Sequence, residues 1–147
     1  MRFISVVAGI FLFACAPAAW GCAVSATAVN FGGGYDPYTQ LDATGSVIAT
    51  CATGLTYVVR IDAGANSGGK FIPRKARIAG GANTASYNLY TDSARTQVWG
   101  DGTNSTLIRT GTGTGSAQKL IVYGRLPSGQ NLVVGSYSDA LIVTVEW

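Results

Sequence analysis

The sequence predicts an all-β chain, a single immunoglobulin-like antiparallel β-sandwich whose last strand either pairs at the edge with the first or leaves the fold incomplete, lacking one strand. Three observations predict it. Beyond residue 21 no segment carries apolar residues at i, i+3, i+4 and i+7 through three turns, the pattern of an amphipathic helix. Short runs of alternating apolar and polar residues recur instead, separated by turns rich in the chain's 20 glycines. The last of these runs places Leu141, Val143, Val145 and Trp147 on one face, with no further strand after it to cover them.

Residues 1–21 are expected to be a signal peptide and 22–147 the domain. Arg2 is the only charge before Asp36, and an apolar run from Phe3 to Ala14 follows it. Pro17 and small residues come next; Ala16 with Ala18, and Ala19 with Gly21, both satisfy the small-x-small cleavage rule. An uncleaved anchor is the alternative, since the stretch to Gly21 is nearly long enough to span a bilayer. A lipoprotein is a third reading, because Leu12-Phe13-Ala14-Cys15 resembles a lipobox. Cleavage before Cys22 removes Cys15 and leaves Cys22 and Cys51 as a pair in an oxidising compartment. A disulfide between them closes a loop of about 30 residues and adds on the order of 3 kcal/mol through the unfolded state.

The strands follow in order. The first covers 22–31 in small residues and ends at the turn Gly32-Gly33-Gly34. The second, over 45–51, carries Val47, Ala49 and Cys51 on one face. The third, over 55–62, aligns Tyr57, Val59 and Ile61. Residues 63–69 are loop, and the basic cluster Lys70, Arg74, Lys75 and Arg77 after them reads as a solvated loop or as charges guarding a sheet edge. Further strands are expected over 86–91, 97–99 and 106–109. The Thr-Gly repeat over 110–115 reads as loop. The strand over 119–126 alternates Leu120, Val122 and Gly124 against Ile121, Tyr123 and Arg125. A turn at Pro127-Ser-Gly129 leads to 132–134, and the final strand covers 139–147.

Little in this chain suits catalysis. It has no histidine, which removes the commonest general base and metal ligand together. Two cysteines without histidine make no zinc site. Trp99-Gly-Asp-Gly-Thr103 offers one carboxylate where calcium needs six to eight oxygens, and reads as a tight turn. Asp36, Asp62, Asp92 and Asp139 lie on separate segments, so spacing argues for no carboxylate pair. The reading is therefore a non-enzyme with no catalytic residues, no metal, no cofactor and no nucleic-acid partner.

The order of motifs resembles a known family. Cys22-Ala-Val24, Val29-Asn-Phe-Gly32, Tyr35-Asp-Pro37, Gly45-Ser-Val47 and Cys51 are similar to the spore coat protein U domain. So are Tyr87-Asn-Leu-Tyr-Thr-Asp92, Trp99-Gly-Asp-Gly102, Tyr123-Gly-Arg-Leu-Pro127, Gly135-Ser-Tyr-Ser-Asp139 and Val143-Thr-Val145. The resemblance covers essentially all of 22–147. It implies a secreted pilus or coat subunit whose immunoglobulin-like fold is completed by donor-strand complementation. A periplasmic chaperone would fill the groove first and a neighbouring subunit would replace it at the usher, giving pili that serve adhesion and biofilm formation. By this resemblance Leu141, Val143, Val145 and Trp147 border the acceptor groove, with Val24 on the first strand opposite, and Cys22 and Cys51 form the family's disulfide. Localisation follows: through the periplasm to the cell surface, with membrane contact only through the export signal.

Two departures from the family pattern stand out. Phe31-Gly-Gly-Gly-Tyr35 is longer than expected there, and cleavage before Cys22 leaves no donor segment ahead of the first cysteine. The expectation is a chain that accepts a strand and gives none: a subunit that ends a pilus, or a coat protein that does not polymerise by this route. A carbohydrate-binding tip is a second reading, with Tyr35, Tyr38, Tyr90 and Trp99 as stacking faces. A small outer-membrane β-barrel is a third.

Overall fold

The computed structural model describes residues 5–9 and 21–147. Arg2, Cys15 and Pro17, on which the leader and lipobox readings draw, lie outside the described residues. Every regular element among them is a strand: β1 Ser5–Gly9, β2 Cys22–Thr27, β3 Leu41–Cys51, β4 Thr56–Ile61, β5 Arg74–Ile78, β6 Thr84–Tyr90, β7 Arg109–Thr112, β8 Ala117–Leu126 and β9 Tyr137–Glu146.

From β2 onward the strands form one antiparallel path, β2-β3-β8-β6-β5-β9-β4-β7, with β1 set beside β9 in parallel. The path is open: among the described strands β2 pairs with β3 alone and β7 with β4 alone. A membrane barrel requires the opposite, a sheet closed on itself. Folded over at β6 and β5, the path brings Val47, Ala49 and Cys51 of β3 into one core with Tyr57, Val59 and Ile61 of β4. These are the two faces that the two-residue period predicts. Trp99 is fully buried in that core and donates its indole N–H to the Val59 carbonyl at 3.1 Å.

The β3–β8 ladder runs from Leu41 opposite Leu126 to Thr50 opposite Ala117. Cys22 and Cys51 face each other across β2 and β3, and a disulfide joins them. β2 ends at Thr27, four residues short of the expected strand, for a steric reason. A Cβ on Gly45 would meet the Thr27 carbonyl and Val29, and one on Gly124 would meet Val29 and Phe31. The two glycines open a hollow over β3 and β8. The chain leaves the ladder there and buries Val29 and Phe31 instead.

Three other expectations are corrected. β5 forms where a solvated loop or charges guarding a sheet edge were expected: it lies between β6 and β9, and Arg74 and Ala76 alternate inward while Arg77 stays exposed. β7 begins at Arg109 and runs into the Thr-Gly repeat, because Gly111 lies opposite Tyr57, where a Cβ would collide with the phenol ring. Residues 132–134 form no strand; Val133 and Val134 are exposed.

Candidate functional site

The site is built around β9. Along a strand, the N–H and C=O of one residue point to one edge and those of the next residue to the other. On β9 the even residues face β4 and the loop that follows it. Asp62 donates its N–H to the Ile142 carbonyl at 3.0 Å, and its Oδ1 accepts the Ile142 N–H at 3.0 Å. Ala65 donates to the Ala140 carbonyl at 3.1 Å. The backbone groups of Asp139, Leu141 and Val143 therefore point to the opposite edge. That edge meets β5 only at Tyr137 and Ser138, and from Ser138 to Ile142 it runs along β1.

Side chains alternate on the same strand. Tyr137, Asp139 and Leu141 are buried, whereas Ser138, Ala140 and Ile142 are exposed. Beside Leu141 and Val143 lies an apolar cleft whose far wall is Ala26, Thr27, Ala28 and Val29, with Val47, Ile61, Leu89 and Val122 among the residues of its floor. It holds about 20 Å3 of open space, room for about one water. β2 and β9 touch across it without sharing a ladder.

The head of β9 is polar and closely satisfied. Asp139 Oδ2 accepts the Tyr87 hydroxyl at 2.6 Å, and Oδ1 accepts the Ala65 N–H at 3.0 Å and the Asn66 amide at 2.8 Å. Burial pushes the Asp139 carboxyl above its ordinary range, and these donors oppose the shift. Burial also raises the Tyr87 phenol, helped by the Asp139 charge, and lowers the Arg74 guanidinium. Arg74 donates to the carbonyls of Asp62 at 2.8 Å, Trp99 at 2.7 Å and Ile61 at 3.3 Å. Asp62 and Asp139, remote in sequence, thus meet at one turn. Asp62 Oδ1 and both Asp139 oxygens accept from backbone N–H groups and neighbouring side chains, an arrangement that fixes the loop over 62–66 against β9.

Of the residues expected to border the groove, Leu141 and Val143 line the cleft. Val24 lies opposite Ala49 in the β2–β3 ladder, Val145 lies opposite Val59, and both are half-buried against the core. Trp147 is 60% exposed, its ring near Gly21. The far wall comes from 26–29 rather than from Val24. The sequence signal for it was the pair Gly45 and Gly124, which only the fold brings under Val29.

The four proposed stacking residues separate. Trp99 and Tyr35 are 0% and 6% exposed, so the core takes up the ring faces expected to be open there. The Tyr35 hydroxyl donates to the Pro127 carbonyl and accepts the Gln130 N–H. Tyr90 is half-buried, and Tyr38 is 92% exposed. Asp101 makes the tight turn expected of it, accepting the Thr103 N–H at 2.9 Å.

The Spore Coat Protein U domain matches residues 10–144. Protein U of Myxococcus xanthus is 32% identical over an alignment of 128 residues, and the match covers 80% of this chain and 70% of that protein. A chain in the crystal structure of the CsuC-CsuE chaperone-tip adhesion subunit pre-assembly complex, from archaic chaperone-usher Csu pili of Acinetobacter baumannii, shares the fold at a TM-score of 0.64 and 20% identity. The match takes in 86% of this chain and spans 39% of that one. With the family domain covering nearly its whole length and a relative close in sequence, the chain belongs to the Spore Coat Protein U domain family.

Proposed function

We propose that the chain is a secreted structural subunit of a surface pilus or coat, and that it takes an extended strand from a partner along the β9 edge turned away from β4. One observation carries the reading: that edge holds an added strand from Ser138 to Ile142, and past Ser138 no described strand of 21–147 supplies one there. Unpaired backbone groups beside an apolar cleft carry two penalties, and an incoming extended segment relieves both. Family membership and the fold neighbour, a chain from a complex of a chaperone with a pilus tip adhesion subunit, support the proposed partners. They are a periplasmic chaperone, then an usher and neighbouring subunits, with delivery to the cell surface and a role in adhesion and biofilm formation.

Co-expression in the periplasm with a chaperone encoded beside this chain tests the reading. The expected product is a one-to-one complex that Leu141→Asp abolishes while the Cys22–Cys51 disulfide still forms. A subunit that stays monomeric and soluble, and ignores the chaperone, contradicts it. The family description favours a coat role as the second reading. Particles that grow by strand exchange separate the pilus from a coat that does not polymerise.

A further inference from the structure

We propose that Ser5–Gly9 is an intramolecular complement of β9: in the full chain this segment occupies the edge that a partner strand needs, and the cleft becomes accessible when the segment is removed or displaced. The inference rests on the strand-acceptor reading above and adds to it what controls access.

The register carries the argument. Ser5 lies opposite Ser138, Val7 opposite Ala140 and Gly9 opposite Ile142, in parallel. In a parallel pair a residue bonds to the two that flank its opposite number. Because the backbone groups of Asp139 and Leu141 face this edge, Val7 sits between them, its N–H directed at the Asp139 carbonyl. No other strand among the described residues reaches that stretch of β9. The segment Ser5-Val-Val-Ala-Gly9 has no charge and no proline, and its paired valines favour extended backbone. Chain reach permits the contact. β1 ends beside Ile142, Gly21 lies beside the Trp147 ring, and these points are about 17 Å apart along a strand. Residues 10–20 can cover roughly 36 Å. A tethered segment competes at an effective concentration of about a millimolar, so a free strand must displace it before binding.

A fluorescent peptide of residues 4–10 is titrated against three proteins: the intact full chain, the full chain cut within residues 10–20 after folding and freed of its N-terminal piece, and the full chain carrying Val7→Pro. Proline removes the N–H aimed at Asp139. The cut chain and V7P are expected to bind the peptide at least about tenfold more tightly than the intact chain. Equal binding by all three overturns the inference. So does failure of the cut chain to bind this peptide while it still binds a chaperone, and that result leaves the acceptor reading standing. A cut chain that binds neither peptide nor chaperone overturns both.

Discussion

Arg74 has no exposed surface, and its guanidinium is held by the carbonyls of Ile61, Asp62 and Trp99 beside the Phe71 ring. It ties the end of β4 to the start of β5, just behind the loop that clamps β9. Arg74→Met leaves those carbonyls without their donor, at a cost of about 1–3 kcal/mol. Urea unfolding reads this directly, and an unchanged midpoint contradicts it. The sequence hid this role, because Arg74 stands among Lys70, Lys75 and Arg77 and a charge run ordinarily faces water. Only the alternation of Arg74, Ala76 and Ile78 hinted at an inward face. Asp42 is the opposite case, a half-exposed carboxylate bridged by Arg125 at 2.7 and 2.8 Å with Arg95 at 3.4 Å. The hydrogen bonds from Arg125, aided by both positive charges, hold its pKa below the ordinary value. Its contribution is therefore present above about pH 4 and lost as pH falls through the lower, folded value. With screening at this exposure it is worth about 0.5 kcal/mol. Asp42→Asn is expected to lower Tm slightly at pH 7 and to leave it unchanged at pH 2; an equal loss at both pH values contradicts the assignment.

β7 and β9 show how far periodicity reaches at the level of elements. The inward set of β9 was legible, since Leu141, Val143 and Val145 follow a two-residue period. Which backbone edge stays open was not, because the Asp62 loop decides it from a distant part of the chain. Leu141→Ala removes a buried side chain from the cleft and is expected to cost about 2–4 kcal/mol. Ile142→Ala, on the exposed face one residue along, is expected to stay within about 0.5 kcal/mol. Guanidinium unfolding of the pair checks the facing, and similar losses for both contradict it. β7 was missed because glycine reads as flexible, although Thr-Gly alternation is itself a period of two. A Cβ on Gly113, just past β7, would press on the backbone of Cys51 and Ala52. Gly113→Ala is therefore expected to destabilise by about 1–3 kcal/mol, visible as a lower Tm; an unshifted Tm contradicts the packing.

At the scale of the whole molecule, an eight-strand path whose ends never meet is held by the β3–β8 ladder and by the Cys22–Cys51 bridge at its β2 end. Fold class was readable from the two-residue period and the recurring turns, and the disulfide from the two cysteines that remain once Cys15 is assigned to the leader. The hollow under Val29 and the pairing of β1 along β9 were not, since both depend on residues brought together over long separations. The proposed function depends on that edge: among the described strands of 21–147 none ladders the backbone of Asp139, Leu141 and Val143 on the side turned away from β4, and the proposal is that an extended strand from a partner completes it. Amide hydrogen exchange at Leu141 and Val143, in the domain freed of residues 1–20 and kept oxidised, tests this most directly. The account predicts fast exchange in the free domain and at least about tenfold slowing when a complementing strand is added. Slow exchange at both amides in the free monomer, from a ladder closed between β2 and β9, would contradict it.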